Sequence, residues 1–152
     1  MTIEGPELVV FDFDESIVDC DSDQLVCKLS PEGKVPKDIV EKYYNGHDTT
    51  EYMSQVFKYL HKTGVTEQDI RNCLKRMPLI TGLKHLIINM KNSGPKRFEL
   101  IIISNANTVF IGQSLEFHRI DKAFRYFIFQ TLFSDTIPLI VLFLLHSNHN
   151  LS

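Results

Sequence analysis

The middle of the chain is patterned for helices. Apolar residues there recur at i, i+3, i+4 and i+7, the spacing of one helical face, in three successive stretches. These stretches are residues 53–60, 70–77 and 83–90, and a turn or a helix breaker follows each of them. The pattern predicts a succession of amphipathic helices over residues 37–90, the first stretch lying in a helix over residues 50–62. We interpret the apolar stripes as core.

Two short apolar runs, residues 8–11 and 100–103, are patterned for strands. Continuous apolar runs of this length are typical of buried strands, especially in parallel sheets, where ligands gather at the carboxyl ends. The first run ends in Asp12-Phe13-Asp14. In an extended chain the two carboxylates share a face and Phe13 points into the core. Carboxylates held close raise the pKa of one or recruit a divalent cation, whereas the alternative is a solvated acidic turn.

Polar residues also follow the second run. Residues 104–108 offer hydroxyls and amides ahead of a helical pattern, and such groups suit a phosphate oxygen at a helix N-terminus. The alternative is an ordinary helix cap by Ser104 or Asn107, which the segment taken alone favours. After the first run, the segment Asp21-Ser22-Asp23 is predicted to cap a helix that begins near Gln24.

Composition bounds the class of protein. A chain of 152 residues fits one modest domain, and a net charge of −3 gives no reason to expect nucleic-acid binding. The three cysteines are odd in number and lack a CxxC pair, which favours a reducing, cytoplasmic compartment over a zinc site or disulfide framework. Residues 1–8 show no secretory pattern. For Tyr43 and Tyr44 the pattern favours surface packing over a pocket lining.

The motifs together resemble a known family. A strand ending Asp-x-Asp-x-Ser, a helical insertion and a later strand ending in Ser resemble the haloacid dehalogenase superfamily. Within it, four segments resemble the phosphoethanolamine/phosphocholine phosphatase and pyridoxal phosphate phosphatase branch over residues 8–127. The segments are FDFDESIVDCDSD, EYMSQVFKYLHKTGV, RMPLITGL and ELIIISNANTVFI.

The resemblance implies an α/β fold, a Rossmann-like parallel sheet (incomplete) with a helical cap inserted after the first strand. It divides the chain into a core of residues 1–19 and 80–127, a cap of residues 20–79 and a divergent apolar tail of residues 128–152. The implied activity is Mg²⁺-dependent hydrolysis of a small phosphomonoester through an aspartyl-phosphate intermediate. The implied partner is therefore a small phosphorylated metabolite.

Roles carry over at the matching positions. Asp12 matches the nucleophile and Asp14 the general acid/base. The Asp12 carboxylate and the Asp14 backbone carbonyl match the Mg²⁺ ligands of the family. Ser104 matches the hydroxyl that holds a transferring phosphate oxygen, and Ser16 stands where the family usually has threonine, so a phosphate-binding hydroxyl is kept.

Two positions bear on the substrate. Asp23 matches an acid that faces the cationic head group in this branch, and Asn105 stands where the branch usually has a second such acid. Asparagine keeps the shape and an acceptor but loses the charge. The substrate expected is a small phosphomonoester of the phosphocholine, phosphoethanolamine or pyridoxal phosphate class.

The end of the chain departs from the family. The third-motif lysine and the fourth motif, Gly-Asp-Gly-x-Asn-Asp, do not appear; Lys122 is the last lysine and Asp135 the one carboxylate side chain after it. Without the lysine, Asp12, Asp14 and phosphate have less charge compensation, and without the acidic motif Mg²⁺ loses a protein carboxylate, so we predict severely impaired turnover. The alternative function is an inactive fragment that only binds phosphate or a partner.

The tail itself has three interpretations. Residues 126–133 and 137–145 are nearly all apolar, which fits a foreign C-terminus, core strands at the sheet's edge, or a membrane anchor. The anchor is disfavoured because the clean run is nine residues and a spanning helix needs about 20. A sheet without later strands would leave its first strand exposed on one side. Oligomeric state is left open.

Overall fold

A computed structural model describes residues 5–46, 49–94, 97–130 and 140–144. Asp135, with the tail segments 131–139 and 145–152, lies outside the described residues, so the interpretations of the tail are addressed only by residues 128–130 and 140–144.

A four-stranded sheet forms the base of the molecule. Its strands are β1 (Glu7–Phe11), β2 (Phe98–Ser104), β3 (Phe124–Gln130) and β4 (Ile140–Leu144). They lie in the order β1-β2-β3-β4, with β1, β2 and β3 mutually parallel and β4 antiparallel to β3. The prediction that the first two runs form strands of a parallel sheet is confirmed. β4 covers the open edge of β3, as the core-strand interpretation of the tail expected.

Most of the helices lie between β1 and β2 in the sequence. The α-helices are α1 (Ser22–Cys27), α2 (Lys37–Tyr43), α3 (Thr50–Lys62), α4 (Glu67–Lys75), α5 (Leu83–Asn92) and α6 (Thr108–His118). Short 3₁₀ turns occur at Pro31–Gly33 and Asp121–Ala123. Within the described residues, no helix is both long enough and apolar enough to cross a membrane.

Local sequence signals fix the helix ends. α3 has the predicted bounds, and its stripe residues Met53, Val56 and Leu60 are buried. α4 begins with a capping box, in which the Thr66 side chain accepts from the backbone N–H of Asp69 and the Asp69 side chain accepts from that of Thr66. These helices could be predicted because their signals lie within a few residues of one another.

The two faces of the sheet differ in cover. Leu100, Ile102 and Phe127 point to one face, where they join a core with residues of α5 and α6 that include Ile87 and Leu115. Side chains alternate along a strand, so Ile101 of β2 points to the other face. The parallel register pairs Val10 with Ile101 and Leu8 with Glu99, which places Leu8 and Val10 on that face as well.

On that other face, Leu8 keeps 59% of its surface exposed and Val10 keeps 50%. The prediction that the first run is a buried strand is therefore wrong for these two residues, because β1 is an edge strand. The expectation that this strand is exposed on one side is confirmed. In the third helical stripe, Leu86 is also exposed rather than core.

Two chain segments join the inserted helices to the sheet. Val18 and Leu79 form an antiparallel bridge. Beside it, the backbone N–H of Asp19 donates to the Pro78 carbonyl at 2.8 Å, and that of Ile80 donates to the Ile17 carbonyl at 3.0 Å. The exit from β1 and the return toward β2 are thus held together directly behind the Asp12-Phe13-Asp14 segment.

Candidate active site

Asp12 and Asp14 follow the end of β1 and lie in different surroundings. Asp12 is exposed, and its Oδ1 accepts from the Phe13 backbone N–H at 2.6 Å. Asp14 is half-buried; its Oδ1 accepts from the Ser22 N–H at 3.0 Å and its Oδ2 from the Ser22 hydroxyl at 3.1 Å. Phe13 between them is fully buried, as predicted. One carboxylate therefore meets solvent while the other is held by α1.

A tight loop positions this pair. The Phe13 carbonyl accepts from the backbone N–H groups of Ile17 at 2.8 Å and Val18 at 3.1 Å, and both side chains are buried. Glu15, inside the loop, has a φ of 54°, which is the left-handed region that side chains other than glycine seldom adopt. Ser16 is exposed on the same loop. Nothing in the sequence signals the left-handed residue, because neither glycine nor asparagine stands there.

The electrostatics separate the two acids further. The pKa of Asp14 is raised to about 6, chiefly by burial, which disfavours the charged form. The hydrogen bonds from Ser22 oppose the shift, and the charges of Asp21 and Asp23 add to it. The sequence predicted a raised pKa for one member of the pair, but it attributed the shift to the other member rather than to burial. Asp14 is thus able to hold or release a proton near neutral pH.

Ser104 lies at the end of β2, at the same edge of the sheet as the aspartates, because β1 and β2 run parallel with Phe11 opposite Ile102. It is buried, and its Oγ accepts from the Ala106 backbone N–H at 3.2 Å, so its own O–H points elsewhere. Asn105 is exposed. Asn107, rather than Ser104, caps α6, since its side chain accepts from the Val109 N–H.

Asp23 lies in the first turn of α1. The cap of this helix is Asp21, whose side chain accepts from the Gln24 N–H at 2.8 Å, so the helix begins two residues before the predicted position. Asp23 is half-buried, and burial followed by the charge of Asp21 raises its pKa, against a hydrogen bond from Thr49. It is therefore a carboxylate beside another acid.

Tyr52 lies near this carboxylate. Tyr44 and Tyr52 pack edge to face with ring centroids 5.2 Å apart, and the Tyr52 hydroxyl lies 3.8 Å from Cys27 Sγ. Asp23 and Cys27 are four residues apart on α1, hence on one helix face. The sequence pattern favoured surface packing for Tyr44 and did not single out Tyr52. Their pairing joins the end of α2 to the start of α3, a contact that no local spacing indicates.

The oxygen donors at the end of β1 suit a hard divalent metal. The Asp12 carboxylate is exposed and the Asp14 backbone offers a carbonyl two residues on, which are the hard oxygen donors that Mg²⁺ prefers. Mg²⁺ usually keeps several waters and takes only one or two protein carboxylates. Among the residues that the structure describes, no group of three or more His, Cys, Asp and Glu could hold a metal ion. The residues fit a largely hydrated Mg²⁺ ion.

The chain is similar to a family of known phosphatases. The family described as "Putative Phosphatase" matches residues 7–134. Pyridoxal phosphate phosphatase from Bos taurus is 40% identical over 121 residues, covering 77% of this chain and 49% of the relative. Phosphoethanolamine/phosphocholine phosphatase from Homo sapiens is 38% identical over 108 residues, covering 71% of this chain and 40% of the relative. The chain thus spans about half the length of the curated relatives it matches.

Solved structures share the fold. A HAD-hydrolase from Bacillus subtilis bound to magnesium superposes with a TM-score of 0.52 at 19% identity, covering 83% of this chain and 66% of that one. A phospho-aspartyl intermediate analogue of phosphoserine phosphatase gives a TM-score of 0.52 at 16% identity, covering 84% and 58%. At these identities the likeness shows the Rossmann-like α/β fold, as the sequence predicted.

Proposed function

The chain belongs to this phosphatase family of the haloacid dehalogenase superfamily, and on that premise we propose that it hydrolyses a small phosphomonoester through an aspartyl-phosphate on Asp12. The observation that carries the proposal is the difference in exposure and proton affinity between Asp12 and Asp14. An exposed carboxylate at a strand end is free to attack, while a half-buried one two residues later is held by Ser22 and retains a proton more readily.

Each half-reaction uses both aspartates. In the first, a carboxylate oxygen of Asp12 bonds to phosphorus, the bond from phosphorus to the leaving oxygen breaks, and Asp14 donates its proton to that oxygen. In the second, a water oxygen bonds to the same phosphorus, its proton passes to the Asp14 carboxylate, and the acyl phosphate bond breaks. Inorganic phosphate leaves, and both side chains return to their starting states.

The Asp12 carboxylate and the Asp14 backbone carbonyl would hold Mg²⁺. When bound, the ion offsets the negative charge of the phosphate, which would otherwise repel an anionic nucleophile. The hydroxyls of Ser104 and Ser16 would bind phosphate oxygens: the first lies at the same sheet edge as the aspartates and the second on the loop that carries them.

The helices α1 to α4 would close over this edge. α3 packs on α6 through the Phe57–Phe110 ring pair at 6.1 Å, and the Met77 carbonyl lies 2.8 Å from His118 Nε2. A cap in this position excludes water from the reacting phosphate. Asp23, from its half-buried place on α1, and Asn105, exposed just after β2, would face the leaving group, which favours a small substrate of the phosphocholine, phosphoethanolamine or pyridoxal phosphate class.

A second function, phosphate binding without turnover, is favoured by one observation. The charges that act on Asp14 are those of two other acids, Asp21 and Asp23. Without a cation beside these acids, Asp12 and Asp14 would turn over a bound phosphomonoester slowly.

Hydrolysis of a generic aryl phosphate with Mg²⁺ separates the two functions. We expect slow release of the phenol by the full chain, and loss of that rate in Asp12→Asn and after chelation of the metal. Equal rates in the native chain and Asp12→Asn would exclude the phosphatase. Saturable binding of inorganic phosphate in that case would support the second function.

A further inference from the structure

Ser22 makes two hydrogen bonds to the side chain of Asp14. Its backbone N–H donates to Asp14 Oδ1 at 3.0 Å, and its hydroxyl donates to Asp14 Oδ2 at 3.1 Å. One residue therefore bonds both oxygens of the proposed acid/base. Ser22 is fully buried, so both of its donors are shielded from solvent.

The position of Ser22 in α1 makes both donors available. Ser22 is the first residue of this helix, where a backbone N–H has no acceptor within the helix. Asp21 caps α1 by accepting from the Gln24 N–H, which leaves the Ser22 N–H for Asp14. The sequence pattern assigned Ser22 to the cap segment of α1, whereas the structure turns its hydroxyl toward an aspartate eight residues earlier.

The backbone of Asp14 is held by other contacts. Asp14 forms a parallel bridge with Val18, and Val18 forms an antiparallel bridge with Leu79 on the return toward β2. These bridges place the residue but do not orient its carboxylate, because the last side-chain torsion of an aspartate is broad rather than confined to staggered wells. The two hydrogen bonds from Ser22 set that torsion.

The direction of the Asp14 carboxylate matters for proton transfer. Its two oxygens offer about four lone-pair directions, and Ser22 occupies one on each oxygen. The remaining directions are thereby fixed relative to α1. A general acid must reach the leaving oxygen within about 2.6–3.2 Å, and a small misplacement costs much of its effect.

We propose that Ser22 is a positioning residue, which aims the Asp14 carboxyl group at the leaving oxygen of the substrate. It acts through Asp14 and is assigned no contact with the phosphate. The inference rests on the proposed phosphatase function and adds a residue to its proton-transfer step. Because Ser22 belongs to α1, the place of this inserted helix sets the direction of the acid/base.

Two aryl phosphates of similar size test this role in the full chain with Mg²⁺. Phenolate needs a proton to leave, whereas the more acidic 4-nitrophenol leaves readily as its anion, and kcat/KM covers the steps up to that departure. Ser22→Ala removes the hydroxyl and keeps the backbone N–H. It should lower kcat/KM about tenfold for phenyl phosphate, the low end for a hydrogen bond to a charged group, and no more than about twofold for 4-nitrophenyl phosphate.

Ser30→Ala is the matched control. It also removes a buried serine hydroxyl close to α1, and among the residues that the structure describes Ser30 Oγ has no hydrogen-bond partner. This variant should keep the native ratio of the two kcat/KM values. Ser22→Thr retains a hydroxyl and should keep that ratio as well.

The possible outcomes separate this role from the phosphatase function. Equal losses on the two esters in Ser22→Ala, or the same selective loss in Ser30→Ala, would overturn the role of Ser22 and leave the phosphatase function standing. No hydrolysis of either ester by the native chain would contradict both. Circular dichroism checks folding; if Ser22→Ala does not fold, Ser22→Cys replaces it, since a thiol is close in size but a weak donor and should show the same selective loss.

Discussion

β1 and β2 are built from similar residues and yet are supported very differently. Each is a short apolar strand that ends in residues of the candidate site, Asp12 after β1 and Ser104 in β2. β2 lies between two strands, and Ile101 and Ile102 are buried. Among the described strands β1 has one neighbour, and its residues Glu7, Leu8 and Val10 are exposed.

The residue composition of a strand therefore does not determine how much of its surface is buried. A run of valines and leucines favours a strand, but the number of neighbouring strands and the cover on each face decide how much surface it buries. The proposed nucleophile consequently follows the less supported strand, and the proposed phosphate-binding hydroxyl lies on the better supported one.

The largest expected effect comes from truncating one apolar residue on each strand. Ile102→Ala, at a fully buried position of β2, should lower the free energy of unfolding by about 2–5 kcal/mol because it leaves a cavity. Leu8→Ala on β1 should change it by no more than about 0.5 kcal/mol, since the side chain is mostly exposed. Denaturant unfolding followed by circular dichroism measures both; equal losses would show that the strands are equally supported.

The two hydroxyls give the next contrast. Ser104→Ala removes the acceptor of the Ala106 N–H in a buried setting, which should cost about 1–3 kcal/mol of unfolding free energy. Ser16→Ala, on the exposed loop after β1, should stay within about 0.5 kcal/mol. The same unfolding experiment checks the pair, and a Ser16 cost as large as that of Ser104 would contradict the contrast.

The smallest effect on stability is expected at the free edge. Val10→Lys should change the unfolding free energy by no more than about 0.5 kcal/mol, but it should reduce self-association, because a charge on an edge strand opposes pairing with another chain. Val109→Lys makes the same change at an exposed position on α6. Sedimentation that shows equal effects of the two variants would mean that the β1 edge has no special tendency to associate.

The sequence predicted what local signals determine. α3 and the apolar stripe of α4 followed from spacing within one or two turns, and the parallel direction of β1 and β2 was indicated by their apolar runs. Phe13 was correctly placed in the core because alternation along an extended chain requires it.

Other features depend on residues distant in the chain. The exposure of β1 is set by which strands lie beside it. The hydrogen bond from Ser22 to Asp14 joins residues eight positions apart in the sequence. The raised pKa of Asp14 arises mainly from burial, which the fold creates. The Tyr44–Tyr52 contact joins two helices, so no periodicity within either one reveals it.

The proposed phosphatase function requires that Asp12 accept a phosphoryl group, and this step can be measured directly. Beryllofluoride binds to such carboxylates as a stable mimic of an acyl phosphate, so the test does not depend on turnover. With Mg²⁺ present, ¹⁹F NMR of the full chain should show a protein-bound beryllofluoride signal that disappears in Asp12→Asn and persists in the control Asp19→Asn. A signal of equal strength in Asp12→Asn, or none in the native chain, would contradict the assignment of Asp12 as the nucleophile.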